Sequence, residues 1–283
     1  MNESFGRRLN CAGKLLDLSH PRIMGILNVT PDSFSDGGRF VDPDVAVAHA
    51  RAMVAEGADI IDVGGESTRP GAAPVDAAEE IRRVVPIVER LAAALAVPVS
   101  VDTGKPEVMR AAAAAGAGMI NDVYALRAPD ALEAAAETGL PVCIMHMQGE
   151  PRTMQQHPHY DDVVAEVAAF LYERATACVA AGIDRERIVI DPGFGFGKTL
   201  RHNYELLAGL PELARRGLPI VAGVSRKSMI RGVAPEPGQR TVASATAAAL
   251  AVWQGASLVR VHDVAATAAA LAVAIATRAP AKL

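Results

Sequence analysis

The chain has 283 residues, of which 51% are hydrophobic and 21% charged, with a formal net charge of −4. That composition fits a globular protein with an ample core, and the absence of a basic run argues against a nucleic-acid or anionic-membrane partner. No apolar run is long enough to span a bilayer, and three cysteines without metal-ligand spacing, behind an N-terminus with no leader-like apolar core, point to reduced thiols in the cytoplasm.

Residues 9–16 read as a small hairpin turning at Ala12-Gly13, a lid over one end of a barrel. Arg22 to Asn28 is an apolar run of buried-strand character, and it breaks into a polar loop holding Pro31, Ser33, Ser35, Asp36 and the pair Gly37-Gly38. Asp42-Pro43 caps a helix that runs to about Glu56 and stops at Gly57. Asp59–Val63 is the next strand, followed by the loop Gly64 to Gly71. Asp76 with Glu79 reads as a capping box, and Ile81, Val84, Val85, Val88, Leu91 and Leu95 then give one apolar helical stripe.

Two phrases recur beyond this point. Gly57…Asp62, Gly116…Asn121 and Gly255…Arg260 each run from a helix-ending glycine to a polar residue five positions on. Pro98–Asp102, Pro141–Met145 and Pro219–Gly223 each open an apolar run with proline, which a first strand position tolerates. With Arg22–Asn28 and Arg187–Asp191 they make eight strands. Helical segments separate them at about 42–56, 76–95, 106–115, 130–138, 161–181, 203–216, 241–254 and 264–277. Alternating βα units of this number predict one α/β domain over residues 1–283, a single (β/α)8 TIM barrel with a short N-terminal β-hairpin. An open doubly wound sheet is disfavoured, because no Gly-x-Gly-x-x-Gly follows the first strand. Residues 147–160 form the longest loop and are irregular rather than a domain boundary.

In such barrels chemistry sits at the carboxyl ends of the strands. Those ends carry Asn28, Asp62 to Glu66, Asp102, Asn121, His146, Asp191, Ser225-Arg226-Lys227, and Arg260 with His262. A barrel needs apolar strand interiors, not polar tips, so the set points to a site. Asp102, Asn121 and Asp191 suit a flat heterocycle with donors and acceptors on one edge. Asn28, Arg69, Arg260 and His262 suit an anion, most simply a phosphate or diphosphate, with the helix after Asp263 adding its N-terminal dipole. Asp62 is assigned to pairing with a barrel-wall cation and Glu66 to buttressing its loop. His146 is equally a satisfied core histidine, and Arg226 has a duller reading as a solvated surface residue beside Lys227, although Gly223-Val224-Ser225 before it places the run at a strand tip. His49, His157, His159 and His202 read as inert surface positions. Gly193 to Lys198 looks like a phosphate cradle but lacks the spacing of one.

The chain resembles the dihydropteroate synthase family over nearly its whole length. The matching stretches are Met24–Gly38, Asp62–Gly71, Ser100–Thr103, Ile120–Asp122, Met145-His146, Asp191–Lys198, Ser225–Ser228 and Arg260–Val264. The resemblance implies condensation of 6-hydroxymethyl-7,8-dihydropterin diphosphate with 4-aminobenzoate, giving 7,8-dihydropteroate and diphosphate. It implies that Asp102, Asn121, Asp191 and Lys227 hold the pterin, with Met145 and Gly223 lining its slot. Asn28, Arg69, Arg260 and His262 would bind the diphosphate, Asn28 also contacting a magnesium ion. Thr68, Pro70, Phe194, Lys227 and Ser225 would frame the 4-aminobenzoate, where sulfonamides would compete, and Asp36 would organise the reacting centre. It further implies a homodimer packed through the alanine-rich helices at 241–254 and 264–277. A pterin-dependent methyltransferase domain would share the barrel and the pterin carboxylates but has no need of the paired anion groups. A non-catalytic pterin-binding paralogue sits poorly with intact first and second loops.

Overall fold

A computed structural model describes residues 8–30, 42–67, 74–150 and 153–278. Strands β1 (Arg8–Cys11) and β2 (Lys14–Asp17) pair antiparallel about Ala12-Gly13. Strict alternation buries Leu9, Cys11 and Leu16 and leaves Leu15 exposed. Together with Leu18, these side chains pack on Met24, Ile60, Met119, Cys143, Val189, Val221 and Leu258, one residue from each of seven barrel strands. The hairpin therefore plugs the amino-terminal end of the barrel, as the sequence led us to expect. Lys14 fastens it, donating to the carbonyls of Ala92, Leu95 and Val97 at 2.8, 2.7 and 3.3 Å, where the helix Ala77–Ala94 ends.

The barrel strands are β3 (Arg22–Asn28), β4 (Ile60–Gly64), β5 (Val99–Asp102), β6 (Met119–Asp122), β7 (Val142–Met145), β8 (Ile188–Asp191), β9 (Val221–Ala222) and β10 (Leu258–Val261). All pair in parallel in the order β8-β7-β6-β5-β4-β3-β10-β9, and a parallel bridge between Ile190 and Ile220 joins the two ends. Around them lie α1 (Pro43–Ala55), α2 (Ala77–Ala94), α3 (Pro106–Ala114), α4 (Ala131–Thr138), α5 (Val163–Ala180), α6 (Leu200–Ala208), α7 (Leu210–Ala214), α8 (Ser228–Val233), α9 (Arg240–Trp253) and α10 (Val264–Arg278). No helix among the described residues is long and apolar enough to cross a membrane.

Strand alternation divides the interior in two. Ile61, Val63, Val99, Val101, Ile120, Ile144, Ile190 and Val259 point outward into the core shared with the helices. The intervening positions point into the barrel, and there the polar residues sit above the hairpin plug.

Four helical details differ from expectation. The single helix over 203–216 is two, α6 and α7, because Pro211 has no N–H to continue the ladder across Gly209. Helix α8 was not anticipated. Asp76 does accept the Glu79 N–H at 2.7 Å, but the Glu79 carboxylate turns to Arg82 and Arg83 instead of closing the box. A reciprocal box occurs at Thr199 and His202, so His202 is a capping residue rather than an inert one.

Candidate active site

Register sets the first row of the site. Asn28 lies opposite Gly64, Gly64 opposite Asp102, and Asp102 opposite Asn121. Gly64 leaves the space between its neighbours open: a Cβ there would stand 3.7 Å from Asn28 Oδ1 and 3.6 Å from the Asp102 Cβ. A Cβ would fit there in ordinary contact, whereas a longer side chain on β4 would fill the space between the amide and the carboxylate.

Arg260, on β10, reaches across this row. Its Nε donates to Asp62 Oδ2 at 2.6 Å and its Nη2 to Asp102 Oδ2 at 2.7 Å. Asn121 Nδ2 donates to the same Asp62 oxygen at 3.0 Å, and Asp62 Oδ1 is buried without a partner among the described residues. Asp62 is thus the pillar expected from sequence, and its cation is Arg260. Burial pushes the Asp102 carboxyl up while Arg260 pulls it back. Burial also opposes the charge of Arg260, but Asp62 and Asp102 more than offset this and hold it protonated. The two halves read from sequence are therefore joined, because the arginine assigned to the anion is held by Asp102 of the ring-binding half as well as by Asp62.

On the other side of the mouth stand Asp191, Gly223 and Lys227. A Cβ on Gly223 would lie 3.5 Å from Lys227 Nζ and 3.8 Å from both Asp191 Oδ2 and the Arg260 Cβ, so the glycine keeps a floor clear between three charged residues. Burial lowers the Lys227 ammonium to about 8 against the pull of Asp191, and burial raises Asp191 against the pull of Lys227. Lys227 Nζ donates to the Phe194 carbonyl at 2.6 Å and stands 4.7 Å from the centre of the Phe196 ring. Met145 is buried with Val123, Met147 and Met154, and Phe196 and Tyr124 pack on that group.

The expectation that the Phe194 ring frames a ligand needs correction. That ring is fully buried in the core between barrel and helices, and only its carbonyl faces Lys227. The half-buried Phe196 ring stands at the site instead. The turn carries left-handed glycines at Gly193, Gly195 and Gly197, so which phenylalanine faces out is a matter of turn geometry. At Gly193 a side chain would also collide with the His146 carbonyl. Nothing in Phe-Gly-Phe alone distinguishes the two rings.

Ser225 and His262 meet at the third side, with Oγ 3.2 Å from Nδ1 and the His262 N–H donated back to Oγ at 3.3 Å. Arg226 pairs with Asp263 at the surface, its duller reading. Glu66 buttresses its loop, accepting from Lys105 Nζ and, at 3.3 Å, from the Val75 N–H. His146 is a core histidine: it is buried, edge-on to Phe170 at 5.0 Å, and 2.9 Å through Nδ1 from Lys198 Nζ. Burial lowers its pKa to about 2. Lys198 turns inward, so the Gly193–Lys198 stretch is no phosphate cradle. Asp36, Thr68, Arg69 and Pro70 lie outside the described residues.

Comparison with known proteins fits this geometry. The family model for pterin binding enzymes matches residues 24–262. The dihydropteroate synthase of Escherichia coli (strain K12) is 56% identical over 271 residues, spanning 95% of this chain and 96% of that one. The structure of Xanthomonas albilineans dihydropteroate synthase with 4-aminobenzoic acid superimposes with a TM-score of 0.91 at 57% identity, covering 97% of this chain and 99% of that chain. The enzyme from the same organism in complex with 7,8-dihydropteroate gives 0.87 at 55% identity, over 96% and 99% of the two chains.

Proposed function

The chain belongs to the pterin binding enzymes and, within them, to the dihydropteroate synthases, and on that premise we propose how its residues divide the work. The enzyme is a transferase of folate biosynthesis, joining 6-hydroxymethyl-7,8-dihydropterin diphosphate to 4-aminobenzoate with release of diphosphate. Asp102, Asn121, Asp191 and Lys227 hold the pterin edge, Met145 and Gly223 line its slot, and Asp62 keeps Asn121 and Arg260 oriented. Arg260, His262, Asn28 and Arg69 receive the diphosphate. Thr68, Pro70, Ser225 and the Phe196 ring frame the 4-aminobenzoate, and Asp36 organises the reacting centre.

The observation that carries this division is the 2.7 Å contact between Arg260 and Asp102. It puts a cation for the leaving group beside a carboxylate for the ring. The bond from methylene carbon to diphosphate oxygen breaks with its electron pair going to the oxygen, and the electron-rich ring stabilises the carbon left behind. Arg260 and His262 offset charge that grows on the leaving oxygens. The aniline nitrogen then bonds to the methylene carbon and releases one proton. Exclusion of water from that carbon is the task assigned to the loops at 29–40 and 65–75.

We propose that magnesium binds here through a single protein donor. Among the described residues no group of three His, Cys, Asp or Glu could hold a metal, and Asp62 and Asp102 near Asn28 are engaged by Arg260. Asn28 would hold an ion whose other ligands are diphosphate oxygens and water, the usual arrangement for magnesium. Bound there, it would neutralise the departing diphosphate. The three cysteines are free and buried, which supports placement in the reducing cytoplasm. Helices α9 and α10 expose Val242, Leu250, Trp253 and Val273, which supports the homodimer; light scattering at the mass of one chain would overturn that.

Turnover of radiolabelled 4-aminobenzoate with the pterin diphosphate and magnesium tests the reading. We expect dihydropteroate and diphosphate in equal amounts, with sulfonamides competing against 4-aminobenzoate. Tight pterin binding without product would overturn it.

A further inference from the structure

One buried ammonium takes no part in the scheme above. Lys198 is 2% exposed, yet its Nζ meets no carboxylate at hydrogen-bond distance among the described residues. Its three protons are instead accounted for by the carbonyls of Gly193 at 2.9 Å and Phe196 at 3.1 Å and by His146 Nδ1 at 2.9 Å. An ammonium has three donors and no acceptor, so this set saturates it. Burying such a charge is costly unless every donor is used, and here two go to one turn and the third to His146, just past β7.

That turn is the one Lys227 touches from the opposite side. Gly193 and Phe196 give their carbonyls inward to Lys198, and between them Phe194 gives its carbonyl outward to Lys227 at 2.6 Å. The Phe196 ring is thereby set 4.7 Å from the Lys227 ammonium. We propose that Lys198, with His146 as its third acceptor, is a positioning residue for the reaction: it fixes the 193–197 turn so that Lys227 and the Phe196 ring are presented together to the 4-aminobenzoate side of the site. The assignment of that side rests on the function proposed above; the positioning of Phe196 and Lys227 does not.

The test separates the two. 4-Fluorophenylalanine placed at Phe196 reports the turn without any substrate. In Lys198→Met we expect its fluorine resonance to shift or broaden; in Arg201→Met, a change at an exposed neighbour, it stays put. An unmoved resonance in Lys198→Met overturns the proposal wherever 4-aminobenzoate binds. In kinetics, Lys198→Met should raise KM for 4-aminobenzoate at least tenfold, with a smaller loss of pterin affinity carried through Lys227. That rise should shrink in a Phe196→Ala background, and fully additive effects overturn the proposal. A moved resonance with unchanged KM upholds the positioning and overturns the substrate assignment. If Lys198→Met does not fold, His146→Phe and His146→Gln carry the test. Gln keeps an acceptor and should restore most of what Phe loses; equal loss in both overturns the proposal.

Discussion

Arg260 Nε lies 2.6 Å from Asp62 Oδ2, although the two residues are 198 positions apart in the chain. Asp62 is fully buried, and its other oxygen has no partner among the described residues. Arg260→Met would leave that carboxylate uncompensated, at a cost of about 3–5 kcal/mol. Chemical denaturation should show that loss, and diphosphate binding should fall with it. Arg260→Met/Asp62→Leu should recover stability without recovering turnover. Full stability in the single variant would contradict the pillar role of Asp62.

Asp102→Asn keeps the shape of the side chain and removes its charge. Hydrogen bonds to a charged group contribute about 1.5–3 kcal/mol, so pterin diphosphate should bind roughly 10- to 100-fold more weakly. Isothermal titration calorimetry measures this, and unchanged affinity would remove Asp102 from the pterin site.

Lys227 is cationic only below about 8, because burial disfavours its charge more than Asp191 supports it. Activity that needs the ammonium should therefore fall as pH rises through about 8. Lys198 titrates nearby, at about 7, so the assignment needs a control. Lys227→Arg keeps a charge at every accessible pH and should lose the alkaline limb of the kcat/KM profile. A limb that survives in this variant belongs to another group.

His146 is neutral in the folded protein down to about 2, whereas an unfolded histidine takes its proton near 6.5. Below pH 6.5 the unfolded chain binds a proton that the folded chain refuses, so stability falls as pH drops. The slope is at most about 1.4 kcal/mol per pH unit for this group. The raised carboxyls of Asp102 and Asp191 act in the opposite sense, since the folded state takes up their protons first. His146→Gln should flatten the loss between pH 6.5 and 4.5 in urea titrations. An unchanged slope would place the acid sensitivity elsewhere.

Leu16 belongs to the plug at the amino-terminal end, away from the strand tips where the chemistry sits. Leu16→Ala should cost about 2–5 kcal/mol and lower Tm, with kcat unchanged at 25 °C. A fall in kcat at full folding would mean that the plug and the site are mechanically coupled.

Much of this molecule was legible before any coordinates. The hairpin turn at Ala12-Gly13, the eight strands and the helix ending at Gly57 follow from local chemistry: turn residues, capping and periodicity act within a few positions. The division at Gly209 was visible in Pro211 but outweighed by the helical pattern around it. Helix α8, with six residues, is too short to leave a periodic signal.

The amino-acid sequence by itself determined which residues could act, because alternation within a strand decides that Asp62, Asp102, Asn121, Asp191 and Arg260 turn into the barrel while their neighbours feed the outer core. Only the tertiary structure decided what they meet. Arg260 binds Asp62 and Asp102 because the barrel closes β10 onto β3 and the parallel register sets the heights of the strand tips. Phe196 rather than Phe194 faces the site because the chain turns through left-handed Gly195 between them and left-handed Gly193 and Gly197 on either side. The first outcome depends on long-range geometry that no span of adjacent residues encodes, and the second on how that turn seats against His146 and Lys227.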